Sequence, residues 1–336
     1  MHKPHGILTA ALALGITLLI ACSNSASTEP APATQTPIPR ATQTLQSDTP
    51  PSLRPKNPAR QSNLENPERF GVYNTNIRWL FKSGGQIRSR PRVSGDTVYV
   101  GSDGDLGTPG LYAISLDTGE ERWVFPTENG VQSSPALADG VLDLGGREKT
   151  LYAVDERTVE EVRMFETGGW VDTDPAVVGT TVIFGSRDDN IYALDIKTGG
   201  EVWRFPTGDQ IVSSPAVAGD LVYIGSNDAN LYALDIATGQ EVWRFTTGRR
   251  VESSPLVVDG LVYFGSFDRF LYALDAATGE VAWQYDAEAR VVSSPAVFEE
   301  SVIFGSGDNQ LYALDLKTGR TAWKFRTLGE IFSSPS

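Results

Sequence analysis

From residue 89 onward, short apolar runs alternate with clusters of turn-forming residues, and the pattern returns every 40 residues. In the copy at 213–245 the runs are SPAVAG, LVYIGS, LYALDI and EVWRF. They are divided by Gly219-Asp220, Asn227-Asp228-Ala229-Asn230 and Ala237-Thr238-Gly239. Short runs rich in Val, Tyr, Phe and Ile, bounded by Gly, Asn and Asp, predict strands. No part of this region keeps a helical period over three turns. A four-stranded antiparallel unit of about 40 residues, repeated six or more times, predicts an all-β fold, a β-propeller.

Three signatures fix the repeat. Tyr112, Tyr152, Tyr192, Tyr232, Tyr272 and Tyr312 lie 40 residues apart. Eleven residues after each comes Trp123, Arg163, Trp203, Trp243, Trp283 or Trp323, and ten residues later a Ser-Ser-Pro triplet, or Thr173-Asp174-Pro175 in one copy. Trp79, before the first full copy, belongs to the same series. A large flat ring at a fixed height on the outermost strand is expected to pack against the neighbouring blade, so these tryptophans read as inter-blade structure. The units run 89–125, 133–165, 173–205, 213–245, 253–285 and 293–325. Residues 77–81 match an outermost strand and 331–336 the start of an innermost one. These would be parts of a seventh blade whose middle strands are missing, as if the sequence were truncated at its C-terminus.

The stretch Ala233-Leu234-Asp235 to Trp243, with Thr238-Gly239 between, carries the pattern A-L-D-x-x-T-G-x-x-x-W. It resembles the repeat of the pyrroloquinoline-quinone-like β-propellers over about residues 77–336. That family includes quinoprotein dehydrogenases and the lipid-anchored propeller of the bacterial outer-membrane protein assembly machine. WD-type propellers fit less well, since no Gly-His and Trp-Asp pair recurs.

The N-terminal part has a different character. Lys3 precedes an apolar run over residues 7–19, too short for a membrane span but suited to a signal peptide. The run leads into Leu19-Ile20-Ala21-Cys22, which resembles a lipobox. Residues 1–21 are therefore expected to be a lipoprotein leader and Cys22 the lipid attachment site. Residues 22–66 are rich in Pro, Thr, Ser and Gln without apolar periodicity, and read as a disordered tether.

Composition then removes several chemistries. The only cysteine is Cys22, and the only histidines, His2 and His5, fall in the leader. No disulfide, thiolate metal cage or imidazole catalysis remains for the mature chain. With 42 acidic against 28 basic residues, net −14, the chain lacks the basic surface that nucleic acid requires. There is no G-x-S-x-G elbow, phosphate-binding loop or dinucleotide fingerprint. Asp103-Gly104-Asp105 and Asp188-Asp189-Asn190 are oxygen-rich but are turn sequences. Dehydrogenases of the resembled family need calcium ligands and often adjacent cysteines. Neither pyrroloquinoline quinone nor calcium is expected as a cofactor.

Function is sought where near-identical repeats differ. The connection from outer to next inner strand and the loop between second and third strands share one face of a propeller. Arg249, Arg250, Phe267, Arg269 and Phe270 are expected to cluster there, with Trp170 nearer the opposite rim. Arginine and aromatic residues are favoured interface anchors. One blade departs from the pattern: Arg163 replaces the tryptophan, Asp143 stands where others have Tyr223 or Tyr263, and its turn at 155–159 lacks glycine. It reads as the weakest blade, with a functional site there as the rival reading. The leading expectation is a non-enzymatic, membrane-tethered scaffold with a protein partner in the cell envelope, including a role in envelope protein assembly. The alternatives are a fragment of a quinone-dependent dehydrogenase and a carbohydrate-binding propeller.

Overall fold

The computed structural model describes residues 78–105 and 107–335. The expected leader, Cys22 and the tether lie outside them. Among the described residues there are 24 strands in six four-stranded antiparallel sheets, each in simple sequential order. The fourth sheet is typical: Ala216–Ala218, Leu221–Gly225, Asn230–Asp235 and Glu241–Thr246. We number the sheets as blades 1 to 6 along the chain. The innermost strands of blades 2 to 5 meet their neighbours in turn.

Burial across a blade follows from stacking sheets face to face. The second and third strands are covered on both sides, so Val222 to Ile224 and Leu231 to Leu234 are all buried. The outermost strand alternates, with Trp243 buried between exposed Val242 and Arg244. Recurrent small residues make the stacking work. Tyr223 pairs with Ala233, and Ala233 with Trp243. The alanine methyl is too short to keep the flanking side chains apart, so the Tyr223 and Trp243 rings meet above it at 5.7 Å.

Trp203, Trp243 and Trp283 then reach the next blade, whereas Trp323, expected to do the same, is 45% exposed because no described blade covers the last strand. Trp203 Nε1 donates to the carbonyl of Ile236 at 2.8 Å, Trp243 to Ala276 at 3.1 Å and Trp283 to Leu316 at 2.9 Å. The ring lies against the Thr-Gly turn of that blade, its glycine 36 residues downstream. A Cβ built on Gly239 would sit 2.5 Å from the Trp203 ring, and φ there is +68°. Trp79 makes the same contact, donating to Leu116 at 2.8 Å, although residues 78–81 form no strand. Residues 331–335 form none either. Both segments match strand sequences, but neither has a neighbouring strand to pair with, and each packs on the adjoining blade instead.

The Ser-Ser-Pro triplets form a second seam near the inner edge. The first serine is buried: Gly225 N–H of its own blade donates to Ser213 Oγ at 3.1 Å, and Ser213 Oγ donates to the Ser253 carbonyl of the next blade at 3.1 Å. The second receives the previous blade. Ser214 N–H donates to Ser254 Oγ, Ser254 N–H to Ser294 Oγ and Ser294 N–H to Ser334 Oγ, each at 2.9–3.0 Å. Asp174 takes this place in its blade, accepting from Ser134 N–H at 2.6 Å and donating its own N–H to Ser214 Oγ at 2.9 Å. The proline that follows has no N–H and leaves this relay to enter the inner strand.

Two glycines separate backbone strain from packing at this seam. Gly219 has φ +58° with nothing within 4 Å of a built Cβ, whereas Gly239 faces the indole. Gly219→Ala is expected to cost about 1–2 kcal/mol for its left-handed backbone. Gly239→Ala adds overpacking of about 1–3 kcal/mol. Urea unfolding followed by circular dichroism should show Gly239→Ala clearly the more damaging.

Candidate functional site

The loop between second and third strands is locked in blades 3 to 6 by one aspartate. Asp228 Oδ2 accepts from Tyr232 Oη at 2.6 Å and from Gly208 N–H at 2.8 Å, while Oδ1 accepts from Asn230 N–H at 3.0 Å. Asp188 with Tyr192 and Asp268 with Tyr272 repeat the arrangement, and Asp308 accepts from Tyr312. Burial raises the Asp228 carboxyl, but donation from Tyr232, Gly208 and Asn230 outweighs it and holds the group below its ordinary value. Burial, then the Asp228 carboxylate, pushes the Tyr232 phenol up. The recurring tyrosines thus fix the height of the loops. Asp188, Asp228, Asp268 and Asp308 are each engaged by protein donors, and among the described residues no three Asp, Glu, His or Cys side chains converge as a metal cage.

On this rigid face two aromatic rings are flanked by guanidinium groups. Arg147 lies 4.7 Å and Arg187 5.2 Å from the centre of the Trp170 ring. Both arginines are held by Asp172, at 3.4 Å and 2.6 Å. Arg250 sits 3.9 Å over Phe267 and Arg290 5.8 Å from it. Arg250 pairs with Glu252 at 3.0 Å, and Arg290 with Glu330 at 2.8 Å. Arg249, Arg250 and Phe267 therefore come together in one cavity, which also takes in Arg290. Arg269 and Phe270 do not join them. Arg269, with φ +86°, turns outward to Asp286 at 3.1 Å. Phe270 begins a third strand and packs into the seam between blades 4 and 5. Trp170 occupies the repeat position of Arg250, two blades away, in a cluster of its own. Sequence reasoning missed Arg290, Arg147, Arg187 and Asp172. Their signal was the 40-residue equivalence of Trp170, Arg250 and Arg290.

The off-pattern blade shows a different logic. Arg163 Nη2 donates to Asp143 Oδ1 at 2.6 Å, and both side chains are almost fully buried. Asp143 pairs with Ala153, and Ala153 with Arg163. The two odd residues thus occupy the places of the Tyr223 and Trp243 rings, and the Arg163 side chain covers Gly199 as Trp203 covers Gly239. Asp143 and Arg163 form a substituted seam pair. Burial, opposed by Arg163, pushes the Asp143 carboxyl up to about 6. Its Oδ2 has no hydrogen-bond partner.

Comparison with known proteins agrees with this architecture. The family model described as outer membrane protein assembly factor BamB matches residues 72–162, 147–266 and 227–334. The chain belongs to this family. Its fold is similar to the crystal structure of BamB from Moraxella catarrhalis, with TM-score 0.66 and 20% identity, covering 77% of this chain and 82% of that one. It is also similar to the computationally designed Ika8 protein, with TM-score 0.57 and 16% identity, covering 76% and 93%. No curated protein matches the chain significantly. The repeat is PQQ-like.

The buried pair makes two predictions. Arg163→Met should destabilise by about 3–5 kcal/mol, by stranding Asp143, whereas Asp143→Tyr with Arg163→Trp should be neutral or stabilising. Because the Asp143 carboxyl titrates higher in the folded state, its contribution is present at low pH and is lost as the pH rises through about 6. Relative to Asp143→Asn, the wild type should therefore lose urea resistance between pH 4 and 7.

Proposed function

We propose that this chain is a non-catalytic scaffold of the bacterial cell envelope that holds a protein partner on its arginine-rich loop face. The carrying observation is the pairing of Trp170 and the half-buried Phe267 each with two guanidinium groups, on loops whose backbones are anchored by half-buried Asp–Tyr bonds. Arginine and aromatic side chains presented at fixed positions are what interface anchors require, and pre-fixed loops lower the ordering cost of binding. Membership of the BamB family supports a place in outer-membrane protein assembly.

The lipobox-like residues ending at Cys22 support attachment to a membrane through lipid, and the tether would let the propeller stand away from it. The quinone-dehydrogenase reading loses support because the turn carboxylates are already engaged. The carbohydrate reading loses support because guanidinium groups cover Trp170 and Phe267, where a sugar ring would stack.

A photo-crosslinking residue placed at Phe267 in living cells should trap a discrete envelope protein. The same residue at Phe298, which is exposed at the turn between first and second strands on the other face, should not. Equal trapping at both positions, or none at Phe267, would overturn the scaffold reading. Cys22→Ser should move the protein from the membrane to the soluble fraction.

A further inference from the structure

The loop joining blades 1 and 2 carries Asn129-Gly130, the one Asn-Gly pair in the sequence. Its bonding differs from that of the loops that repeat it. In those loops Thr167, Thr207 and Thr327 each donate Oγ1 to the carbonyl two residues on, at 2.6–2.8 Å. Thr127 Oγ1 is buried and makes no hydrogen bond, so the Asn129 carbonyl is not pinned in this way. The Asn129 side chain is exposed, and its amide has no hydrogen-bond partner among the described residues. By contrast, Asn190 and Asn230 give their amides to the turn residues Asp188 and Asp228. The N–H of Gly130 meets no protein acceptor among the described residues. Gly130 has φ +89°, and a Cβ there would come 2.7 Å from Asp103 Cα. The fold therefore demands glycine after an asparagine whose side chain it leaves free.

A backbone nitrogen attacks the preceding asparagine amide most readily when it belongs to glycine, because no Cβ obstructs closure of the five-membered ring. The repeat shows that a side chain at this place can fold onto its successor. In the corresponding loop before blade 4, Asp209 Oδ1 accepts from the N–H of Gln210 at 2.7 Å. Gly130 is packed on Ser102 and Asp103, so its nitrogen is fixed and the free Asn129 amide makes the approach. We propose that Asn129-Gly130 is a self-modifying site, at which the folded chain turns an asparagine into aspartate or isoaspartate. The Gly130 nitrogen gives its proton to hydroxide and bonds to Asn129 Cγ, while the Cγ–Nδ2 bond breaks and ammonia leaves. Water then opens the succinimide at either carbonyl, leaving aspartate or, with the chain running through Cγ, isoaspartate. One water is consumed for each ammonia released, and nothing is oxidised or reduced. The change falls on the loop face. Asn129 lines a cavity of about 470 Å³ with Glu128, Arg147, Glu148, Lys149 and Trp170. The product adds a third carboxylate to the two cations and two carboxylates already there.

The test incubates the full chain, folded in detergent, in mildly alkaline buffer, then digests it and follows each asparagine peptide by mass. The peptide holding Asn129 should gain about one dalton at least tenfold faster than those holding Asn190, Asn227, Asn230 or Asn309. It should split into two products, one co-eluting with the peptide from Asn129→Asp and the other labelled by an isoaspartyl methyltransferase. The rate should rise with pH, because the Gly130 nitrogen must lose a proton. Asn129→Gln, which would have to close a six-membered ring, should slow the gain on that peptide at least tenfold while leaving the circular dichroism unchanged. A gain in urea but not in the folded chain would show that burial of Gly130 keeps base from its nitrogen, and would overturn the proposal. So would a rate at Asn129 no faster than at the other four asparagines, or an undiminished rate in Asn129→Gln.

Discussion

The structure depends on the contact each blade makes with the blade 40 residues later. A four-stranded sheet with both faces apolar cannot be stable alone, so its neighbours are its core. Two devices enforce the contact at two radii. Near the inner edge, a backbone N–H reaches the serine hydroxyl of the next triplet. Farther out, an indole covers the next turn and donates to its carbonyl. The inner link is a hydrogen bond alone, and the outer one adds ring packing to a hydrogen bond. Because both recur at one offset, neighbouring blades are held in one relative pose, and the loops between them inherit it.

That same demand is why the fold was legible. A seam built from a tryptophan, a Thr-Gly turn and a serine at most boundaries writes itself into the chain every 40 residues, and the all-β propeller follows. What the repeat could not show was which deviations compensate one another. Asp143 and Arg163 are separated by a whole strand and look like independent losses. Only the register, with Ala153 between them, reveals that each answers the other. The tyrosine series marked the period, but its work in gripping the loop aspartates depends on a bond between positions four apart at a strand entry.

The binding face was only partly legible, for a related reason. Loop residues adjacent in sequence were grouped, yet adjacency at a strand entry splits side chains between surface and seam. Arg269 and Phe270 part company in this way, the first turning to Asp286 and the second entering the core. Position within the repeat was the better guide. Trp170, Arg250 and Arg290 share one, and the structure gives each an aromatic–guanidinium contact.

An acidic chain that gathers arginines on one face must keep them from repelling one another and from folding onto the nearest carboxylates. Asp172 holding Arg147 and Arg187 together shows the solution: one anion shared by two cations orients both beside Trp170. Around Phe267 the anions are three, Glu252, Glu330 and the cavity-lining Asp228, against Arg249, Arg250 and Arg290. Each cluster is thus pre-ordered, with its cations held beside fixed carboxylates. Such an arrangement discriminates more than it attracts. The seams make that discrimination possible, because a charge pattern selects a partner only if its elements hold their distances.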